Sequence, residues 1–340
     1  MKSIFSVPSL LAAVSLGLIT AACSSSDDST GAPPNPAPGA TSTTPAPTPT
    51  TAPTPTASRD IVDTAIANGS FKTLVGAVQG AGLEATLRGP GPFTVFAPND
   101  AAFQKLPSFL LAKLVTEPYK AELGLILKYH VLSGSVKAAD VLGKTSSPAT
   151  VGGARLAIDG NGGKVVINGM TNVSTPDVAA SNGIIHVIDG VLLPSIVDTA
   201  VGYDDGTTKF STLVTAVTAA DLGSTLSGPG TFTVFAPTDK AFADLKMALG
   251  DTAFNAILAD KPKLQKILKY HVLASTVYAK DVAPGKVATV EGGSITIAAS
   301  GSDVTIADAT PAKAKILLTD LPNRNGVIHV IDKVLLPPGP

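Results

Sequence analysis

The sequence predicts two tandem α+β domains, and three observations carry that prediction. A long stretch occurs twice: Phe93-Thr94-Val95-Phe96-Ala97-Pro98-Asn99-Asp100-Ala101-Ala102-Phe103 returns as Phe232-Thr233-Val234-Phe235-Ala236-Pro237-Thr238-Asp239-Lys240-Ala241-Phe242. Within each copy, helix-period apolar spacing comes first and strand-like runs follow. That order places helices against a mostly antiparallel sheet and argues against a doubly wound nucleotide binder. Finally, 340 residues with 44% hydrophobic content suffice for two separate cores.

The chain opens on Lys2 and a mostly apolar run over residues 4–19, the pattern of a secretory signal peptide and too short for a membrane span. It ends at Thr20-Ala21-Ala22-Cys23, which resembles a bacterial lipoprotein signal whose cysteine becomes the lipidated first residue. Thr20 departs from the aliphatic residue preferred at that position, and an ordinary secretory signal is the alternative. Residues 1–22 are therefore expected to be removed, with a lipid on Cys23 holding the protein to a bacterial membrane. Ser24 after the cysteine points to the outer membrane or cell surface under enterobacterial sorting. Cys23 is also the sole cysteine, so no intramolecular disulfide forms.

Residues 23–58 change abruptly to Ser, Thr, Ala and Pro, with nine prolines between Ser24 and Ser58. Such a segment buries too little apolar surface to offset its ordering entropy, so it reads as a disordered, partly polyproline-II stalk. Its reach runs from roughly 30 Å as a coil to about 100 Å extended.

The first copy spans residues 59–194 and the second 195–340. Ile126-Leu127-Lys128-Tyr129-His130-Val131-Leu132 recurs as Ile267-Leu268-Lys269-Tyr270-His271-Val272-Leu273, and Asn182-Gly183-Ile184-Ile185-His186-Val187-Ile188-Asp189 as Asn325-Gly326-Val327-Ile328-His329-Val330-Ile331-Asp332. Val191-Leu192-Leu193-Pro194 likewise returns as Val334-Leu335-Leu336-Pro337. The offset grows from 139 residues at Phe93 to 141 at His130 and 143 at His186. This is duplication of a whole domain, far longer than a solenoid repeat.

Inside a copy, Ser70 reads as the cap of a helix with Phe71, Leu74, Val75 and Val78 on one face, matched by Phe210, Leu213, Val214 and Val217. The repeated apolar strand stops at Pro98 or Pro237, and a new helix starts with Asn99 or Thr238 as its cap. Asp100 or Asp239 then supplies the first-turn charge that a helix dipole favours. A further helix leads to Tyr129-His130 and Tyr270-His271. Strands are expected at residues 154–158, 164–168 and 183–193, and at 294–298, 303–307 and 326–336, separated by Gly-rich turns. The second copy carries extra residues around Met247–Lys263, and a longer, more charged stretch, Ile316–Arg324, before its Asn-Gly. Such divergence marks a candidate partner-specific surface or simple drift.

These motifs, in this order and twice over, resemble the fasciclin (FAS1) domain across residues 59–338. Its first homology block is similar to Thr94–Asp100 and Thr233–Asp239, its Tyr-His motif to Tyr129-His130 and Tyr270-His271, and its second block to Asn182–Pro194 and Asn325–Pro337. The resemblance implies a wedge-shaped β-sandwich with helices on one side, in a secreted or surface protein that contacts cells or matrix. It also implies the Tyr-His region, Tyr129, His130, Tyr270 and His271, as a candidate interaction region, although a tyrosine before a buried histidine can equally anchor the fold.

Several chemistries find no footing. The net charge of −1 is spread evenly, with 11 basic and 10 acidic residues in 59–195 against 13 and 14 in 196–340, so neither copy has the basic face that nucleic acid requires. His130, His186, His271 and His329 lack the spacing and companion ligands of a metal site, and His186 and His329 read as strand residues among aliphatics. No Gly-x-Ser-x-Gly elbow is present, and Ser133 becomes Ala274 in the second copy. The reading is a non-catalytic adhesion lipoprotein without a cofactor, binding a protein or glycan on a cell surface or matrix. The alternative is a carrier or sensor of a small molecule held in one domain.

Overall fold

The computed structural model describes residues 58–300 and 303–339. The signal sequence, Cys23 and all of the stalk but Ser58 lie outside the described residues.

The first copy runs α1 (Ile61–Asn68), α2 (Lys72–Gly80), α3 (Glu84–Leu87), β1 (Phe93–Pro98), α4 (Asp100–Gln104), α5 (Ser108–Leu114), α6 (Lys120–Tyr129), β2 (Val131–Ser133), α7 (Ala138–Val141), β3 (Thr145–Ser146), β4 (Ile158–Asp159), β5 (Val166–Ile167), β6 (Thr171–Ala180) and β7 (Gly183–Ile188). The second runs α8 (Ile196–Gly202), α9 (Ser211–Ala219), α10 (Gly223–Ser227), β8 (Phe232–Pro237), α11 (Asp239–Leu249), α12 (Asp251–Ala259), α13 (Lys261–Tyr270), β9 (Val272–Leu273), β10 (Gly285–Ala288), β11 (Ser294–Ser300), β12 (Asp303–Ala307), β13 (Ala314–Asn323) and β14 (Gly326–Ile331). Each copy forms a seven-stranded sheet, β2-β1-β7-β6-β5-β4-β3 and β10-β11-β12-β13-β14-β8-β9.

The repeated strand sits inside each sheet. β1 pairs in parallel with β7, from Phe93↔Gly183 to Pro98↔Ile188, and antiparallel with β2. Strand periodicity divides its side chains between two cores. Val95 and Ala97 join Ile185 and Val187 under the helices, whereas Phe96 and Ile188 turn to a second core with Ile158 and Ile167. Phe96 reaches β4 and β5, which are not its neighbours in strand order, because the sheet folds over. The bend lies in β6, whose pairing with β7 shifts register between Val173 and Val178, with Asp177 at φ 58°. β13 repeats the device, with shifts between Ile316 and Leu321 and Asp320 at φ 62°.

The Asn-Gly pairs that open β7 and β14 have a steric cause. A Cβ on Gly183 would lie 2.1 Å from the Phe93 carbonyl oxygen, and one on Gly326 would lie 2.0 Å from that of Phe232. Asn182 ties the same corner: its Oδ1 accepts from Ile61 N–H at 2.9 Å, and its Nδ2 donates to the Leu87 and Gly89 carbonyls at 2.8 and 3.0 Å.

Several expected elements move. The strands expected at 154–158 and 164–168 shrink to β4 and β5, because residues 149–155 form a bridged turn instead. The last strands end at Ile188 and Ile331, short of Leu193 and Leu336. β6 was unexpected, since the polar run from Thr171 to Ala180 hides its pairing. Ile316–Arg324, read as a divergent insertion, is mostly β13, the counterpart of β6. Ser70 is not the cap of α2; Phe71 takes that position and makes no side-chain cap bond.

Candidate functional site

The sequence-predicted residues are placed by two kinds of junction. At the first, β1 hands over to α4. Asn99 accepts from Ala102 N–H at 2.8 Å, and Thr238 accepts from Ala241 N–H at 3.1 Å, so both cap the helix they precede. Asp100 looks backward instead. Its carboxylate accepts from the N–H groups of Thr73 at 2.8 Å and Lys72 at 3.3 Å, the open start of α2. Asp239 does the same for Thr212 at 2.7 Å and Ser211 at 3.3 Å. Partial burial raises the Asp100 carboxyl, but these donors outweigh it and hold the group below the usual aspartate range.

At the second junction the Tyr-His pairs are buried, with Tyr129 only 1% and His130 only 2% exposed. His130 Nδ1 lies 2.8 Å from the Ile126 carbonyl, to which only an N–H can bond, so Nδ1 donates. Nε2 then accepts from Leu192 N–H at 2.9 Å. His271 repeats this between the Ile267 carbonyl at 2.8 Å and Leu335 N–H at 2.8 Å. Burial pushes both imidazoles down to about 4. Tyr129 donates to the Arg155 carbonyl at 3.2 Å and accepts from Asn168 at 3.0 Å, and Tyr270 donates to the Ser294 carbonyl at 2.8 Å. Their rings therefore offer no face to a partner; any contact in this region is left to flanking residues.

His186 and His329 use the opposite tautomer. Nε2 of His186 donates to the Val136 carbonyl at 2.8 Å and Nδ1 accepts from Asp177 N–H at 3.2 Å, at the β6 bend; the ring stacks on Phe96 at 5.4 Å. His329 is held between the Val277 carbonyl at 2.9 Å and Asp320 N–H at 3.2 Å, and stacks on Phe235 at 5.7 Å. The structure thus brings none of the four histidines together. No group of three or more His, Cys, Asp or Glu side chains suited to a metal occurs among the described residues.

Two features escaped sequence reading. One is an apolar recess of about 330 Å³ in the first copy, between α2, α4, α5 and α6, walled by Ala77, Phe103, Leu111, Leu123, Ile126 and Val191. Thr73, Ser108 and the already bonded His130 are its polar lining residues. In the second copy α11 and α12 are longer, and Phe254 belongs to the core there with Leu245, Ile257 and Leu258 partly buried against it. The inserted residues around Met247–Lys263 thus include core-filling side chains.

The other feature is the contact between copies. Lys113 Nζ reaches Asp320 Oδ2 at 2.5 Å and Thr319 Oγ1 at 2.8 Å, and Arg324 N–H donates to the Pro194 carbonyl at 3.0 Å. Phe109 meets Tyr278 edge-on at 5.2 Å, and Lys280 Nζ lies over the Phe109 ring, 5.3 Å from its centroid. Tyr119 and Ala121 of the first copy pack into the helical core of the second.

The Fasciclin domain model matches residues 69–194 and 208–337. The chain is 30% identical over 258 residues to transforming growth factor-beta-induced protein ig-h3 of Oryctolagus cuniculus, covering 75% of this chain and 36% of that protein. It is 46% identical over 134 residues to the uncharacterized protein sll1735 of Synechocystis sp., covering 39% of this chain and 97% of the other. Among solved structures, a FAS1 domain pair from the insect cell adhesion molecule Fasciclin I aligns with TM-score 0.38 and 20% identity, over 79% of this chain and 98% of that one. The chain therefore spans about a third of the rabbit protein's length, and it belongs to the fasciclin domain family, with two such domains in tandem.

Proposed function

We propose that this protein is a lipid-anchored, non-catalytic adhesion protein whose Thr/Pro-rich stalk presents two fasciclin domains to a protein or glycan on another cell or a matrix. One observation supports the reading most directly: the side chains that could have carried chemistry, the four histidines and both Tyr-His tyrosines, are engaged by the fold's own backbone. Binding is then left to exposed surface, and two domains allow avidity when both engage one partner. No helix among the described residues is long and apolar enough to cross a membrane, so the lipid on Cys23 is the proposed attachment. Radiolabelled palmitate should mark the wild-type chain and leave Cys23→Ala unlabelled and released from membranes. A deletion strain should lose attachment or aggregation and regain it with the full chain. Unchanged attachment would overturn the adhesive role.

The recess supports a second reading, a carrier of a small apolar molecule, since about 330 Å³ falls within the range of ligand cavities. Saturable binding of a naphthalene-type fluorophore, abolished by Ala112→Phe at the rim, is the expected result. Identical binding by that variant would remove this reading.

A further inference from the structure

Glu122 is fully buried, 0% exposed, and neither carboxyl oxygen has a hydrogen-bond partner among the described residues. A buried carboxylate without donors is costly, whereas the neutral acid is tolerated far better. Burial accordingly pushes Glu122 up to about 8.

The repeat shows what buries it. α6 and α13 align without a gap from Lys120/Lys261 to Tyr129/Tyr270, so Glu122 corresponds to Lys263 and Leu125 to Lys266. Lys263 is exposed and Lys266 only partly covered. On a lone fasciclin domain this helix face is a solvent face. In the first domain it is covered by α8 of the second: Leu125 is buried so tightly that a Cβ on Gly202 would meet its Cδ1 at 2.6 Å. Tyr119 and Tyr203 flank the site, and the Tyr203 phenol is raised chiefly by burial, then by Asp205 and Glu122.

Among the described residues no cation is placed to compensate. On α6, Lys120 pairs with Glu117 at 2.7 Å, and Lys128 lies a turn and a half further on. From α5, Lys113 is taken by Asp320. From α2, Lys72 lies by Asp100. From α8, Asp198 is engaged by Ser195 at 2.6 Å, and Tyr203 at its end donates to Asp205 at 3.3 Å. β2 carries no titratable side chain.

We propose that Glu122 is a proton-operated latch between the two fasciclin domains: its acid form fits the α6–α8 contact, and its carboxylate form drives the domains apart. When the domains separate, Glu122 returns to water and to the ordinary carboxylate range. The docked form therefore holds the proton more tightly. Docking is fully favoured below the ordinary value of 4.5, weakens tenfold per pH unit as the pH rises, and stops weakening above about 8. His130 and His271, pushed down to about 4, stay neutral above pH 5 and do not contribute to that window.

The test is small-angle scattering on the full chain between pH 5 and 9, at constant ionic strength. The wild type should be compact at pH 5 and expand reversibly toward pH 9, with a docking constant falling roughly a thousandfold. Glu122→Gln, which keeps the shape and loses the proton, should stay compact throughout. A wild type of constant dimensions, or a Glu122→Gln chain that expands like it, would overturn the latch. Should the variant misfold, the carboxyl carbon shift of Glu122 in the wild type decides. A midpoint well above the usual glutamate range supports the proposal, and one near 4.5 overturns it.

Discussion

At Asp100 a single carboxylate serves a helix other than its own. It sits at the first position of α4 but accepts from two of the N–H groups that α2 leaves open, while Asn99 caps α4. Asp100→Ala should therefore loosen α2 and lower stability by about 0.5–2 kcal/mol, the usual range for loss of a cap. Because the folded carboxyl lies below its ordinary value, this contribution is present at neutral pH and disappears as the pH falls through the folded value. The difference in unfolding free energy between wild type and Asp100→Ala should accordingly shrink in acid. A difference that stays constant down to pH 3 would mean the carboxylate contributes through something other than its charge. The residue type at this position was legible from the sequence as a helix-start signal. Which helix it serves was not, because the partner lies 27 residues earlier in the chain.

At the scale of elements, the two domains differ most where α4 and α5 of the first correspond to the longer α11 and α12 of the second. Phe254 belongs to the second domain's core, while the first keeps its recess. Phe254→Ala should cost about 3–5 kcal/mol, measured by chemical denaturation of the full chain, since it removes a buried ring from a packed site. A loss below 1 kcal/mol would show that α12 is peripheral. The amphipathic helices and the strands β1, β7, β8 and β14 were legible because each carries its period in a continuous run. β6 and β13 were not, since a bulge interrupts alternation and polar residues line one side. That Tyr129, His130, Tyr270 and His271 anchor the fold was one of the readings open in the sequence, but the contacts with Ile126, Leu192 and Arg155 and their counterparts that bury them are encoded by no local pattern. Glu122 was the subtlest case: read alone it is an ordinary charged residue on a helix, and only alignment with Lys263, together with the covering α8, marks it.

Over the whole molecule, the buried histidines report whether the two domains unfold as one body. Each unfolded histidine takes up a proton near 6.5, whereas folded His130 and His271 do so only near 4, and burial lowers His329 as well. A depressed imidazole stabilises the fold above its unfolded value, and that contribution is lost as pH falls through the folded one. His130 lies in the first domain, and His271 and His329 lie in the second. Between pH 6 and 5 unfolding lets His130 and His271 each take up about one proton, while Glu122, protonated when docked, releases about one. If the domains unfold together, the free energy of unfolding should therefore drop by at least about 1 kcal/mol per pH unit in the wild type and at least about 2 in Glu122→Gln. If they unfold separately, two transitions should appear, and the second domain's, which carries His329 as well as His271, should fall more steeply with pH than the first's. Urea titrations of the full chain at pH 6.0, 5.5 and 5.0 distinguish these cases. A single transition in Glu122→Gln with a slope below one proton would refute the assignment of His130 and His271 as neutral, bonded parts of the fold. Above pH 8 the same experiment on wild type and Glu122→Gln should split the one transition into two for the wild type alone, because only there does the carboxylate oppose the contact that couples the domains.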